Sequence, residues 1–112
     1  MAIFFRLVRT DPPTLDDFRS HAALGDVPPH VKTGPQREPY RRLSLWATLP
    51  KARACARRTR HRYAYVAVLD VPSTAPVAQR GRDPDHYEIH EHDAPPEVMR
   101  TWMVRVLPAR VK

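Results

Sequence analysis

Cysteine is nearly absent. The 112 residues contain Cys55 alone, so neither an intramolecular disulfide nor a cysteine-built zinc cage can hold the fold together. Long apolar runs are missing as well: nothing approaches the roughly 18 to 20 consecutive apolar residues of a membrane-spanning helix. The opening MAIFFRLVRT meets charge at Arg6, too soon for the apolar core of a signal peptide. A cytoplasmic protein without membrane contact is expected. Length excludes a second independent core, so residues 1–112 are expected to form one domain. Such a domain buries only about 60 to 68% of its unfolded surface, and its stability must come from packing.

Lysine is scarce too. Of the nineteen basic residues only three are lysine; sixteen are arginine, set against twelve acidic residues for a net charge of +7. The surface will attract phosphates, nucleic acid or acidic partners. Arginine sharpens that expectation, because its planar fork can grip phosphate or carboxylate with two hydrogen bonds. The thirteen prolines show a compositional bias that also explains part of the arginine excess, so charge alone does not establish nucleic-acid binding.

Periodicity supplies the elements. Ala2–Arg9 alternates as a strand, with Ile3, Phe5 and Leu7 on one face and Phe4, Arg6 and Val8 on the other. Thr14 and Asp17 resemble a capping box for a helix through Leu24, closed by Gly25. Asp26–Arg42 carries four prolines and no period, and reads as a long loop. Leu43–Thr48 reads as a strand, and Thr48 with Pro50 starts a helix whose apolar stripe is Leu49, Ala52, Cys55 and Ala56. Arg62–Asp70 is almost continuously apolar, as a strand covered on both faces requires.

Val71–Pro84 is a second turn-rich loop, followed by a polar strand over Asp85–His92, a helical turn over Pro95–Thr101 and a last strand over Trp102–Leu107. The order predicts an α+β domain: a mixed or antiparallel sheet, two short helices and long proline-rich loops.

Three constellations carry chemistry. In HYEIHEH, strand spacing puts His86, Glu88, His90 and His92 on one face; imidazole and carboxylate groups suit a transition metal, and the same pattern serves equally as the polar face of an edge strand. In KARACARRTRHR, from Lys51 to Arg62, the basic residues can neutralise phosphates, which makes Arg53, Arg57 and Arg58 the candidates for a nucleic-acid-binding module without catalysis. They also fit the solvated outer face of an amphipathic helix.

The third constellation joins distant segments: Arg6 and Arg9 in FFRLVRT, Ser44 and Trp46 in LSLWAT, and Tyr87 and Glu88 in the late strand. This layout resembles small ADP-ribosyltransferase-fold proteins, some of them bacterial toxins. The resemblance covers most of the chain as loose order and short matches. It implies NAD as substrate and ADP-ribosyl transfer or NAD hydrolysis as the reaction. By that resemblance Arg6 or Arg9 holds the dinucleotide, Ser44 shapes the nicotinamide pocket and Glu88 orients the ribose. Where the family often carries a second acidic or amide residue, two positions before the glutamate, this chain has His86. A further reading is an interaction protein that uses its proline-rich loops for a protein partner, binding neither NAD nor nucleic acid; for a toxin the partner would be an antitoxin.

The chemistry asks for these residue types on its own terms. Cleaving a nicotinamide riboside passes through an oxocarbenium-like state, which a carboxylate on the sugar hydroxyl stabilises. A guanidinium matches the pyrophosphate, and Trp46 or Tyr87 offers a ring for the nicotinamide to stack on.

Overall fold

The computed structural model describes residues 2–59 and 62–110. Six strands form one antiparallel sheet: β1 (Ala2–Val8), β2 (Arg42–Trp46), β3 (Tyr65–Val71), β4 (Ala78–Gln79), β5 (His86–His90) and β6 (Met103–Pro108), in the order β4-β5-β2-β1-β3-β6. Three short helices accompany it: α1 (Gly34–Arg37), α2 (Leu49–Arg58) and α3 (Pro96–Thr101). The architecture is α+β, as expected, and every strand pairing is antiparallel. Of the basic run in the sequence, Arg60 and His61 lie outside the described residues.

The sheet buries both faces over its centre. On one face Phe4 and Val8 of β1, Leu43 and Leu45 of β2 and Ala67, Leu69 and Val71 of β3 meet Phe18, Met99 and Ala94 from outside the sheet. On the other, α2 lays Leu49, Ala52, Cys55 and Ala56 over Phe5, Leu7, Trp46 and Val66. The predicted stripe of α2 is the one that packs, and Thr48 caps the helix by accepting from the Lys51 amide. In β3, Val66, Ala67, Val68 and Leu69 are all buried, which explains the unbroken apolar run. β6 is an edge strand, and its register shifts beside Val68 and Leu69, an irregularity that blunts an edge against further pairing.

Three expectations are corrected. The helix expected to run through Leu24 is a single 3-10 turn at Leu15–Phe18, because Arg19 is extended and the Ser20 hydroxyl takes the Ala23 amide, offering the backbone a turn in place of a helix. The Asp17 carboxylate accepts from the Thr14 and Arg9 amides, so the expected cap residue also ties this turn to the end of β1. The Asp26–Arg42 loop contains α1, started by Thr33 accepting from the Gln36 amide, followed by a 3-10 turn at Glu38–Arg41. Among the described residues the α-helices therefore number three, where two were expected. The late polar strand ends at His90, which leaves His92 in a turn and off the strand face.

A polar tie holds the chain ends of β2 and β5. Glu91 accepts from the Ser20 hydroxyl and, at 3.1 Å, from Arg41 Nε. Burial works against its charge, and the bonds from Ser20 and Arg41 outweigh that, so its carboxyl lies below the ordinary value. Its stabilising contribution is therefore present above the unfolded-state value of about 4.3 and is lost as pH falls through the lower folded value. Urea titrations of wild type and Glu91→Gln should show the variant less stable by about 1 kcal/mol at pH 7, with the gap closing in acid. A gap that stays constant with pH would contradict the tie.

Candidate functional site

β1 and β2 touch in register only at Phe5 and Trp46. Continuing that register would set Leu7 against Ser44; instead the strands part, and the Arg6 guanidinium enters the gap. Its NH1 donates to the Ser44 carbonyl at 3.0 Å and its Nε to the Asp17 carbonyl at 2.8 Å. One side chain thus satisfies a carbonyl that the ladder leaves free and fixes the loop after β1. Burial pushes the Arg6 guanidinium down to about 10, against the pull of Tyr63 and Asp17, so it remains charged at neutral pH.

The gap opens into a cavity of about 220 Å³ whose walls include Arg6, Arg9, Ser44 and Trp46. Arg19, Arg42 and Arg62 add three more guanidiniums, against the carboxylates of Asp16 and Asp17. Arg19 is paired with Asp16, and Arg62 stands 3.9 Å from Asp26. Among the described residues the side chains of Arg9 and Arg42 have no hydrogen-bond or ion-pair partner. The cavity is positive with two uncommitted forks, an arrangement suited to phosphate or carboxylate. Cys55 also lines it, and burial pushes its thiol up against the opposing effect of Arg58, so it is a poor nucleophile.

β5 lies beside β2 and pairs Arg42 with His90, Ser44 with Glu88 and Trp46 with His86. Glu88 therefore stands across from Ser44 on the same sheet face, with 19% of its side chain exposed and Arg80 Nε 3.8 Å from its carboxylate. It is not among the cavity's wall residues. Tyr87 points to the opposite face, where its ring meets Phe4 edge-on at 5.1 Å in the core. Tyr87 is not among the cavity's wall residues, whereas Trp46 and Tyr63 are.

Sequence reasoning did not single out the bonds of His86. Its Nδ1 stands 3.0 Å from the Arg80 carbonyl and its Nε2 3.1 Å from Ser44 Oγ. Its ring leans on Trp46 at 4.9 Å. Only knowledge of the β2–β5 register reveals this pairing.

The histidine face does not assemble a metal site: among the described residues no group of three His, Cys, Asp or Glu side chains is placed to hold an ion. Both nitrogens of His86 are engaged. His90 donates from Nε2 to Glu38 at 3.1 Å and accepts the His92 amide at Nδ1. His92 Nε2 takes Arg41.

The basic face of α2 is partly committed as well. Arg53 donates through Nε and NH2 to the Pro108 carbonyl, tying α2 to the end of β6, while Arg57 and Arg58 are exposed. No helix among the described residues is long and apolar enough to cross a membrane. No protein family, no curated protein and no solved structure matches this chain.

Proposed function

We propose that this chain binds NAD where β1 and β2 part and cleaves the nicotinamide–ribose bond, passing ADP-ribose to water or to an acceptor. One observation carries the reading. Arg6, Ser44 and Glu88, far apart in sequence, sit on three consecutive strands of the sheet, with Arg6 bonded to the Ser44 backbone and Glu88 the register partner of Ser44.

The residues divide the work by charge. Arg9 and Arg42, with the remaining donors of Arg6, face the pyrophosphate. Trp46 offers an apolar edge for the nicotinamide. Glu88 accepts a hydrogen bond from a ribose hydroxyl and opposes the positive charge that grows on the sugar as nicotinamide leaves. Arg80, whose Nε stands 3.8 Å from the Glu88 carboxylate in the free protein, must yield part of that contact to the ribose. At about 220 Å³ the cavity is smaller than the roughly 300 to 1,000 Å³ of enclosed small-molecule sites. It takes one portion of the dinucleotide, and the rest lies along the open face of β2 and β5.

The test is nicotinamide release from NAD by the purified chain, followed by chromatography. Time-dependent release is expected. No release at any NAD concentration, with intact fold, would overturn the reading. Binding of oligonucleotides that weakens on changing Arg57 and Arg58, but not Arg6, would place function on α2 instead.

A further inference from the structure

The line Ser44–His86–Arg80 has a direction. A carbonyl oxygen can only accept, so the Arg80 carbonyl, 3.0 Å away, requires the proton of the neutral imidazole to sit on Nδ1. Nε2 then carries the lone pair, and Ser44 Oγ, 3.1 Å away, donates its proton to it. A hydroxyl, a base and a group that fixes the base's tautomer are aligned, which is the arrangement that activates a serine.

The surroundings hold this line in place. The loop bearing the Arg80 carbonyl closes on itself: the Arg80 amide donates to the His86 carbonyl, and Gln79 Nε2 donates to the Gly81 and Asp83 carbonyls. Gly81 has φ +83°, a conformation that side-chain-bearing residues rarely adopt. Lys51 of α2 pins Asp83 at 3.3 Å. Trp46 packs against the imidazole, and Ser44 itself is exposed on the wall of the arginine cavity. Arg42, two residues before Ser44 on the same strand face, also lines that cavity with its fork uncommitted.

We propose that Ser44 is an activated nucleophile, with His86 as its general base, that accepts an acyl group from an ester carrying a negative charge. As Oγ attacks the ester carbonyl, an Oγ–C bond forms and the hydroxyl proton passes to His86 Nε2. The charge that develops on the carbonyl oxygen is opposed by Arg42. The intermediate collapses, the ester C–O bond breaks and the leaving alcohol takes the proton from Nε2. Water then attacks the acyl carbon, giving a proton to the same nitrogen; the Oγ–C bond breaks, Ser44 Oγ takes the proton back and the acid leaves. The serine chemistry stands on the hydrogen-bond line and the anionic preference on Arg42 and its cavity; neither requires NAD.

The experiment is labelling with a fluorophosphonate, an electrophile that reacts fastest with activated serines, read by intact mass and peptide mapping. One adduct on Ser44 is expected, formed about 10² to 10⁴ times more slowly in His86→Gln. Ser44→Cys, which retains a nucleophile of similar size, should redirect labelling to an iodoacetamide probe at position 44. No adduct on Ser44, or an adduct whose rate ignores His86→Gln, would overturn the proposal. For the substrate class, the anionic 4-nitrophenyl hemisuccinate should turn over about tenfold faster than 4-nitrophenyl acetate, through one charge-assisted bond to the arginines. Equal rates would overturn the anionic part. Nicotinamide release without serine labelling sinks this inference and leaves the NAD reading standing; labelling without release does the reverse.

Discussion

Arg6→Met is expected to cost about 2 to 4 kcal/mol of folding stability and to weaken NAD binding by about 10- to 100-fold. Methionine keeps most of the apolar stem, so the loss isolates the guanidinium. Without it, the Ser44 and Asp17 carbonyls lose their side-chain donors at a point where β1 and β2 no longer pair. The gain from removing a half-buried charge opposes this, and two carbonyls left without these donors outweigh it. Arg6→Lys should fall between the two, since an ammonium retains the charge but lacks the fork that spans both carbonyls. Denaturant unfolding alongside a calorimetric NAD titration checks both effects; a variant as stable as wild type would show that the gap does not depend on Arg6.

Glu88→Gln should lower nicotinamide release by about 10² to 10³ while leaving NAD affinity within a few-fold of wild type. The amide preserves size and can still bond a ribose hydroxyl, so what disappears is the negative charge that opposes the oxocarbenium-like state. Stability should change little, because the contact to Arg80 is long and partly exposed. Steady-state kinetics separates the outcomes. A fall confined to kcat supports the role given to Glu88, whereas a rise in KM alone would make it a binding residue.

Much of the framework was legible because packing writes itself into period and composition. β3 announces itself by an apolar run that only a strand covered on both faces can bury, and α2 by Pro50 in its first turn beside a stripe of small apolar residues. The segment after Asp11 misled for a local reason: Ser20 competes for the backbone, and the amphipathic spacing of Leu15, Phe18 and Ala22 does not reveal that competition. α1 was hidden because a four-residue helix has no period to read, although Thr33 and Gln36 form the capping pair that marks its start.

The site was legible in part. Arg6, Arg9 and Ser44 are picked out by the family resemblance and Trp46 by its ring, and all four line one cavity. The parting of β1 from β2 was not visible, because it depends on a guanidinium replacing a ladder bond across the gap. Nor was the link between His86 and Ser44, which follows from the offset of β5 against β2. Tyr87 was placed by alternation with the polar residues of its strand, and the same alternation sends it into the core.

The central claim concerns where the dinucleotide sits, and an amide chemical-shift titration with NAD addresses it directly. Perturbations are expected at Arg6–Arg9, Ser44–Trp46 and Glu88, saturating together, and displaced to about 10- to 100-fold higher NAD in Arg6→Met. Perturbations confined to the outer face of α2 around Arg57 and Arg58, or none at millimolar NAD, would contradict it.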